Sequence, residues 1–264
     1  MCSIKDAKRI VVKVGTSTIA YQTGRMNLRK IERLVKVLAD IKNSGREVVL
    51  VSSGAIGVGV GKLGLKQKPT DIPTKQAAAA VGQCELMYTY DKLFSDYSHT
   101  VAQVLLTRDV IDDTVLRRNV ENTFRRLLEM SCIPIVNEND TVSTDEIECG
   151  GNFGDNDTLS AMVAAVCGAD ALILLTDIDG LYTGDPRTDA DARLIEHVSE
   201  ITDDLCRLAG GAGSAMGTGG MITKLHAAEI ALEQGITMAI INGGAPESMY
   251  DLLEGKAVGT LFSK

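Results

Sequence analysis

Two features are missing from this sequence, and both narrow the classes of function it can have. The 264 residues carry 27 lysines and arginines against 35 aspartates and glutamates, so the net charge is -8. An acidic chain is a poor partner for nucleic acid or for an anionic membrane surface. The sequence also has no apolar segment of membrane-spanning length, because charges or glycines interrupt every candidate. We therefore expect a protein that binds no nucleic acid and no membrane.

A secretory leader is not expected either, because Lys13 directly follows the apolar residues Ile10–Val12 and interrupts the run. The six cysteines show no CxxC spacing, which argues against a zinc knuckle or a thioredoxin-type site. Cys84, Cys132 and Cys167 lie in apolar stretches, so we expect them to be small buried side chains. These observations favour a cytoplasmic location.

Short apolar runs rich in β-branched residues alternate with segments of helical periodicity along most of the chain. Strands buried on both faces are predicted over Arg9–Val14, Glu47–Ser52, Thr100–Leu106, Ile133–Val136, Ala171–Leu175 and Thr237–Ile241. Helices are predicted between Asn27 and Gly45 and over Thr74–Phe94, Arg117–Met130, Asp157–Val166 and Met221–Gln234. This alternation predicts an α/β fold, a three-layer αβα sandwich whose central sheet is mostly parallel.

Two segments break the alternation. Thr141–Gly154 is polar and contains glycines, and we predict a hairpin or a mobile loop there. Gly210–Gly220 holds six glycines in eleven residues, which is too flexible for a helix or an inner strand. The sequence shows no internal repeat and no linker between domains, so one domain with two lobes is expected.

Four of the predicted strands end in small or polar residues. Each end could be a turn with a helix cap, which is the usual role of such residues. In an open parallel sheet, however, ligands bind at the carboxyl ends of the strands, so four such ends at one edge indicate an active cleft. The four ends are Lys13–Ser17, Ser52–Gly54, Asn137–Asp140 and Thr176–Gly180.

Two lysines have surroundings in the sequence that suit an anionic ligand. Lys13 lies inside an apolar strand, where an unpaired ammonium is costly, so it either reaches water at the strand end or is directed at an anion. Lys224 follows a glycine-rich segment at the predicted start of a helix. That arrangement suits phosphate, although glycine-rich loops also serve as hinges. The residues alone leave both alternatives open.

The predicted helix over Asp157–Val166 begins with two polar residues of interest. Asp157 stands where a helix N-cap is expected, and a capping carboxylate can still take part in catalysis. Asn156 offers both a donor and an acceptor, so it could bind the ammonium or the carboxylate of an amino acid.

One glycine pattern points to a different class of enzyme. Gly59–Gly64 matches GxGxxG, the fingerprint of dinucleotide-binding oxidoreductases, which requires a strand–turn–helix and an acidic residue about 20 positions further on. The pattern begins several residues past its strand, and the nearest acidic candidate, Glu85, falls in a predicted helix. A nicotinamide-dependent function is therefore a weak alternative.

Taken together, the motifs make the sequence similar to the glutamate 5-kinase family of the amino acid kinase superfamily. Eight segments carry the resemblance, and they span nearly the whole chain. They are VVKVGTS (Val11–Ser17), VSSGAIGVG (Val51–Gly59), KQAAAAVGQ (Lys75–Gln83), QVLLT (Gln103–Thr107), VNEND (Val136–Asp140), GDND (Gly154–Asp157), LLTDIDGLYTGDPR (Leu174–Arg187) and GTGGMITK (Gly217–Lys224). A single segment is weak evidence, but eight in the right order are specific.

The resemblance implies an amino acid kinase-like fold and the ATP-dependent phosphorylation of the γ-carboxylate of L-glutamate. The product would be γ-L-glutamyl 5-phosphate, formed in the first step of L-proline biosynthesis. Mg²⁺ is expected to accompany ATP, and proline is expected to act as a feedback inhibitor. The alternatives are another kinase of the superfamily and a non-catalytic amino-acid sensor on the same fold.

The resemblance also assigns roles by position. Lys13, Lys224 and Asp157 match the catalytic positions, with Asp157 holding the two lysines in register. The substrate-binding positions are Ser53, Asp140 and Asn156. Asp140 is expected to face the α-ammonium of glutamate. The ATP-binding positions are Lys13, Thr176, Asp177, Thr218, Gly219, Gly220, Met221, Ile222, Thr223 and Lys224. No residue is assigned as a protein ligand of a metal.

Many members of that family carry an additional C-terminal domain of the PUA type, related to RNA-binding modules. The sequence reaches Lys264 directly after the kinase segments, so we expect one kinase domain over residues 1–264 and no PUA domain. Within it we expect a substrate lobe over about residues 1–170 and a nucleotide lobe over about residues 171–264. The helix near residues 75–97 is expected to be exposed, which favours a homo-oligomer.

Overall fold

The computed structural model describes residues 3–143, 156–209 and 220–264. Within these residues one sheet contains the strands β1 (Arg9–Val14), β2 (Glu47–Val51), β3 (Val101–Leu106), β4 (Ile133–Glu138), β5 (Ala171–Thr176), β6 (His197–Val198), β7 (Thr237–Asn242) and β8 (Thr260–Phe262). Their order across the sheet is β3-β4-β2-β1-β5-β7-β8-β6. Neighbouring strands are parallel except β7 and β8, which are antiparallel. The prediction of a mostly parallel sheet is confirmed.

Helices cover both faces of this sheet. They are α1 (Thr16–Ile19), α2 (Leu28–Asn43), α3 (Ala55–Leu63), α4 (Ile72–Ser95), α5 (Arg108–Asp112), α6 (Thr114–Glu129), α7 (Asn156–Cys167), α8 (Asp203–Ala209), α9 (Met221–Glu233) and α10 (Ser248–Leu253). Apolar residues of α2, α4 and α10 pack on one face, and those of α6, α7 and α9 pack on the other. The three αβα layers are therefore as predicted. No helix in the described part of the chain combines the length and the hydrophobicity that a membrane span needs.

The central strand β1 shows how the sequence distributes its side chains between the two faces. Successive side chains of a strand point to opposite sides of a sheet. Ile10, Val12 and Val14 accordingly pack into the core on the α2 and α4 side, while Val11 packs into the core on the α7 and α9 side. The alternation assigns Lys13 to the same side as Val11. Lys13, near the carboxyl end of β1, is thus directed toward α7 and α9.

The boundaries of α2 follow from its capping residues. The side chain of Asn27 accepts a hydrogen bond from the backbone N–H of Lys30, as expected of an N-cap. Gly45, just past the helix, has a φ of 95°, a left-handed conformation that favours glycine. Both predicted boundary residues are confirmed.

Helix α3 was not predicted, because its sequence AIGVGVGKL is rich in glycine. Its glycines serve close packing: a Cβ on Gly59 would lie 1.8 Å from the backbone oxygen of Ala78 on α4. A Cβ on Gly82 would likewise lie 1.8 Å from the backbone oxygen of Ala55. The two helices touch through their backbones, and this contact offsets the low helix propensity of glycine. The short strands β6 and β8 were not predicted either.

Two residue-level predictions were wrong. Cys84 is exposed, because α4 turns Leu86 and Tyr90 toward the core and Cys84 lies on the opposite side, whereas Cys132 and Cys167 are buried as expected. Helix α7 begins at Asn156, so Asp157 lies within its first turn and is not its N-cap.

The polar segment Thr141–Gly154 is described only at its beginning. The backbone N–H of Val142 and that of Ser143 both donate to the carbonyl oxygen of Asn139, which forms a turn. Residues 144–154 of that segment, the next residue 155, and residues 210–219 of the glycine-rich segment lie outside the described residues.

Candidate active site

A cavity of about 410 Å³ opens at the carboxyl ends of β1, β2, β4 and β5. These are the four strand ends that the sequence predicted to form a cleft. Strand β1 pairs with β2 on one side and β5 on the other, so the cavity lies where the strand order reverses, the usual ligand position in such sheets. The cavity is lined by Lys13, Gly15, Thr16, Ser17, Ser53, Gly54, Ala55, Ile56, Gly57, Lys68, Asn137, Asp140, Asn156, Leu175, Thr176, Asp177 and Lys224.

Two lysines that line this cavity, Lys13 and Lys224, pair with one buried carboxylate, that of Asp157. The Nζ of Lys13 lies 2.6 Å from Oδ1 of Asp157, and the Nζ of Lys224 lies 2.9 Å from Oδ2 of the same carboxylate. Asp157 is fully buried, and the two lysines are only 8% and 7% exposed. We call Lys13, Asp157 and Lys224 the lysine–aspartate cluster.

The fold brings these three residues together from three elements. Lys13 comes from the end of β1, on the sheet face that α7 and α9 cover. Asp157 lies in the first turn of α7, and Lys224 lies in the first turn of α9. Thr223, the neighbour of Lys224, donates its hydroxyl to Oδ2 of Asp157 at 3.1 Å. Each side chain is therefore held by a regular element.

The two lysines determine the charge state of Asp157. Burial alone would raise its pKa, but the attraction of Lys13 and then of Lys224 outweighs burial and holds the pKa below its ordinary value. The carboxylate is thus ionised at neutral pH. One negative and two positive charges leave the cluster with an excess positive charge, which suits an anionic ligand such as a polyphosphate.

The residues expected to bind the amino-acid substrate also lie at this cavity. The amide nitrogen of Asn156 donates to Oγ of Ser53 at 2.8 Å, to the carbonyl oxygen of Ser52 at 3.2 Å and to Oδ1 of Asn137 at 3.3 Å. Asp140 lines the same cavity from the segment that follows β4. The structure therefore brings Ser53, Asn156 and Asp140 together.

Thr176 and Asp177, expected at the nucleotide, line the cavity at the end of β5. Arg187 donates to Oδ2 of Asp177 at 2.6 Å, and the hydroxyl of Thr176 donates to Oδ1 at 3.2 Å. Burial would raise the pKa of Asp177, but hydrogen bonds from its backbone N–H and from Arg187 outweigh burial and lower it. This turn consequently carries a fixed negative charge.

Part of the predicted phosphate-binding segment can be described. Gly220 directly precedes α9, and Met221, Ile222 and Thr223 form its start. Lys224 lines the cavity, whereas the other described residues of the segment do not. Thr218 and Gly219 lie outside the described residues.

The chain is similar to known proteins over nearly its whole length. The model of the Amino acid kinase family matches residues 8–242. A glutamate 5-kinase of Clostridium perfringens (strain 13 / Type A) is 58% identical over 260 residues, which cover 98% of this chain and 97% of the relative. A glutamate 5-kinase of Clostridium tetani (strain Massachusetts / E88) is 55% identical over 260 residues, which cover 98% and 96%. The chain belongs to the glutamate 5-kinase family.

Both the resemblance and the predicted fold are thereby confirmed. A UMP kinase from Bacillus anthracis shares the fold with a TM-score of 0.65 at 18% sequence identity, covering 97% of this chain and 96% of that one. Because the identity is low, this likeness concerns the fold alone. This chain and that UMP kinase therefore share the arrangement of their sheet and helices.

Membership of the glutamate 5-kinase family agrees with the structural position of the GxGxxG pattern. Gly59–Gly64 lies within and just after α3 and does not connect a strand to a helix. Gly61 packs against the loop before α2, where an added Cβ would lie 2.4 Å from the backbone oxygen of Gly24. These glycines serve helix packing, and the oxidoreductase alternative is not supported.

Sequence reasoning missed some residues that line this cavity or contact its lining. Lys68 lines the cavity from the segment between α3 and α4, where nothing in the local sequence distinguishes it from a surface lysine. Gln83, on α4, accepts a hydrogen bond from the amide of Asn137 at 2.9 Å. Gln83 lies inside the quoted segment KQAAAAVGQ, so the resemblance indicated the region but gave the residue no role.

Proposed function

We propose that this protein transfers the γ-phosphoryl group of ATP to the side-chain carboxylate of L-glutamate, giving γ-L-glutamyl phosphate and ADP in the first step of L-proline biosynthesis. The observation that carries the proposal is the convergence of Lys13 and Lys224, distant in sequence, on one buried carboxylate at one cavity. Membership of the glutamate 5-kinase family names the substrate. A cavity of about 410 Å³ falls in the size range of small-molecule sites.

The nucleophile needs no activation in this reaction. A glutamate side chain has an ordinary pKa of about 4.3 and is already ionised at neutral pH, so no general base is required. One oxygen of this carboxylate attacks the γ-phosphorus, and the bond from that phosphorus to the bridging oxygen of ADP breaks. The remaining difficulty is to bring two anions together and to stabilise charge on the transferring group.

The lysine–aspartate cluster supplies that stabilisation. In our proposal one ammonium flanks the γ-phosphoryl and the other extends toward the leaving β-phosphate. Asp157 touches both lysines at hydrogen-bond distance, so it fixes the separation of the two cations before substrate arrives. Preorganised charge of this kind is usually the largest single contribution to catalysis.

Substrate recognition is assigned to the opposite part of the cavity. The carboxylate of Asp140 faces the α-ammonium of glutamate, and Ser53 and Asn156 complete the amino-acid site. Support comes from the hydrogen bond that joins Asn156 to Ser53 and from the presence of all three residues at the cavity. Thr176, Asp177 and residues 218–224 are proposed to bind ATP.

Magnesium is proposed to arrive with the nucleotide as MgATP. Within residues 3–143, 156–209 and 220–264, no three His, Cys, Asp or Glu side chains are grouped as a protein metal site would need. Mg²⁺ commonly binds nucleotides mainly through phosphate oxygens and water. We assign it no protein ligand.

Four further expectations belong to this proposal. A substrate lobe over about residues 1–170 and a nucleotide lobe over about residues 171–264 are supported by the sheet, in which β1–β4 form one half and β5–β8 the other. A homo-oligomer is supported by an exposed stripe on α4 that includes Cys84 and Tyr88. Proline, which also carries an ammonium and a carboxylate, is proposed to inhibit at the glutamate site, and the setting is cytoplasmic.

The proposal is tested by trapping the acyl phosphate. Purified protein is incubated with MgATP, hydroxylamine and one candidate acceptor at a time, and the hydroxamate and ADP are both measured. We expect both products with L-glutamate and neither with aspartate, N-acetylglutamate, carbamate or UMP. ADP release driven by another of these acceptors would indicate another kinase of the superfamily.

A second measurement distinguishes an enzyme from a non-catalytic sensor. Thermal unfolding is followed with L-glutamate and with MgATP. Stabilisation by glutamate without hydroxamate formation would contradict the enzymatic proposal and indicate a non-catalytic sensor. Protection by NAD and not by ATP would instead favour an oxidoreductase.

A further inference from the structure

A chain of side-chain amides runs from helix α4 to the cavity. Gln83 accepts at Oε1 from Nδ2 of Asn137 at 2.9 Å, and Asn137 accepts at Oδ1 from Nδ2 of Asn156 at 3.3 Å. Asn137 and Asn156 line the cavity, whereas Gln83 lies behind them and is only 9% exposed. We call Gln83, Asn137 and Asn156 the amide chain.

Backbone groups fix the direction of this chain. The N–H of Glu138 donates to Oδ1 of Asn137 at 3.0 Å, and a backbone N–H can only donate. The carbonyl oxygen of Ser52 accepts from Nδ2 of Asn156 at 3.2 Å, and a carbonyl can only accept. Exchanging the oxygen and nitrogen of either amide would therefore place donor against donor or acceptor against acceptor. The remaining nitrogen of Asn137 must face Gln83.

With the donors and acceptors assigned in this way, Asn156 has one group left for a ligand, its side-chain oxygen Oδ1. Its nitrogen has three protein acceptors, while its Oδ1 is buried and has no hydrogen-bond partner among the described residues. A buried acceptor of this kind is costly unless a donor reaches it. Of the polar groups of glutamate at neutral pH, the two carboxylates accept and only the α-ammonium donates.

We propose that Gln83 is a positioning residue that holds the amide chain so that Asn156 offers an acceptor to the α-ammonium of the substrate, which makes the site select amino dicarboxylates over plain dicarboxylates. This inference rests on the proposed function. Gln83 does not line the cavity, so it acts through Asn137. Without an acceptor at position 83, the buried nitrogen of Asn137 would lose its partner, and the amide of Asn156 would lose its fixed orientation.

The test compares L-glutamate with glutarate, the same dicarboxylate without the ammonium. In Gln83→Leu we expect kcat/KM for glutamate to fall about tenfold, as for a buried donor left unpaired. The value for glutarate should stay within about twofold, because glutarate has no donor for Asn156. Where glutarate turns over too slowly, its inhibition constant against glutamate gives the same comparison. KM for ATP should not change.

Two control variants separate positioning from general damage to α4. Gln83→Glu keeps an oxygen for Asn137 and should restore the preference for glutamate. Thr89→Val removes a buried hydroxyl of the same helix, which donates a hydrogen bond to the sulfur of Met26 at 3.3 Å, and should leave the preference unchanged. Equal losses on both substrates in Gln83→Leu, or no rescue by Gln83→Glu, would overturn the inference.

The outcome can be told apart from a failure of the proposed function. If the unmodified protein forms no hydroxamate from glutamate, the enzymatic proposal fails. The amide chain is then judged from the thermal stabilisation by glutamate and by glutarate alone. A preference for glutamate that Gln83→Leu removes would still support the inference, and a preference that persists in that variant would contradict it.

Discussion

The lysine–aspartate cluster and the amide chain lie at the same cavity but are built from different chemistry. The cluster is made of full charges: Asp157 is completely buried, with an ammonium at 2.6 Å on one oxygen and another at 2.9 Å on the other. The amide chain is neutral, and its members make hydrogen bonds of 2.9 to 3.3 Å in one fixed direction. The charged cluster can stabilise an anion electrostatically. The neutral chain instead presents donor and acceptor groups in fixed orientations.

The difference follows from what each part of the proposed substrate pair requires. A triphosphate is a polyanion whose transition state spreads charge over several oxygens, so fixed cations stabilise it most. Distinguishing an ammonium from a carboxylate depends on whether a group donates or accepts, which a neutral amide in a fixed orientation can sense. Losses from the charged cluster should therefore be large, and losses from the neutral chain small and selective.

The largest effect is expected from Asp157→Asn, which leaves two buried ammonium groups without their counter-charge. We expect the free energy of unfolding to fall by about 3–5 kcal/mol, measured by urea denaturation. MgATP should stabilise the variant more than the unmodified protein, because the phosphates replace the lost negative charge. As a matched control, Asp251→Asn removes an exposed carboxylate that pairs with Lys256 at 2.6 Å and should cost less than about 1 kcal/mol.

The difference in the free energy of unfolding between the unmodified protein and Asp157→Asn should depend on pH in a predictable direction. The pKa of Asp157 in the folded protein lies below its ordinary value of 3.8, because Lys13 and Lys224 outweigh the opposing effect of burial. A lowered pKa stabilises the fold above the unfolded value and loses this effect as pH falls through the folded one. The stability gap to Asp157→Asn should be constant from pH 7 to about pH 4 and shrink below. A gap that already shrinks between pH 7 and pH 5 would contradict the ion-pair account.

The next largest effect should come from Lys224→Ala. We expect kcat to fall about 100- to 1,000-fold, equivalent to ~3–4 kcal/mol, because a preorganised cation at the transferring group is lost. Asp157 keeps Lys13 as a partner, so the fold and the KM for glutamate should persist. Lys256→Ala, at an exposed ion pair, is the matched control and should not change kcat. Near-normal turnover by Lys224→Ala would remove this lysine from the mechanism.

A smaller and more selective effect is expected from Asp140→Ala. Removing the carboxylate proposed to face the α-ammonium should raise KM for glutamate about 10- to 100-fold, since hydrogen bonds to charged groups contribute about 1.5–3 kcal/mol. The kcat should change much less. Asp91→Ala, which removes one exposed carboxylate from α4, controls for the change in net charge. An unchanged KM would exclude Asp140 from the substrate site.

The same contrast shows how far the sequence alone could lead. Continuous apolar runs located the inner strands, since a strand buried on both faces has little freedom in composition. Lys13 was recognisable because a charge within such a run requires a partner. The resemblance to the glutamate 5-kinase family identified Lys224 and Asp157. Charged residues in apolar or glycine-rich surroundings are conspicuous in a sequence.

The neutral part of the site was harder to predict, because the role of each residue depends on contacts with residues far away in the sequence. Gln83 and Asn137 are 54 residues apart, and the sequence around either residue gives no sign of the hydrogen bond between them. Helix α3 was missed because its glycines suggest a loop, and only the backbone contact with α4 explains them. The strand β8 is three residues long, too short for a pattern to be detected. These features depend on packing between distant segments, which a short stretch of sequence does not reveal.

The smallest effect should come from Tyr90→Phe, and it tests where the amide chain ends. Tyr90 is completely buried, and its hydroxyl lies 2.9 Å from that of Ser52. Burial raises the pKa of Tyr90, so the hydroxyl stays protonated. Its loss should lower the free energy of unfolding by about 0.5–1.5 kcal/mol in urea denaturation. Asn156 bonds the backbone oxygen of Ser52, which follows β2 directly, and not its side chain.

KM for glutamate should therefore rise no more than about twofold in Tyr90→Phe, well below the change expected for Gln83→Leu. A tenfold rise, with the preference over glutarate lost, would mean that Tyr90 and Ser52 also orient Asn156. The positioning role would then extend over two turns of α4, because Tyr90 and Gln83 lie seven residues apart on the same side of that helix. A small rise would confine that role to the amides, since the backbone oxygen of Ser52 can hold Asn156 without help from the Tyr90 hydroxyl.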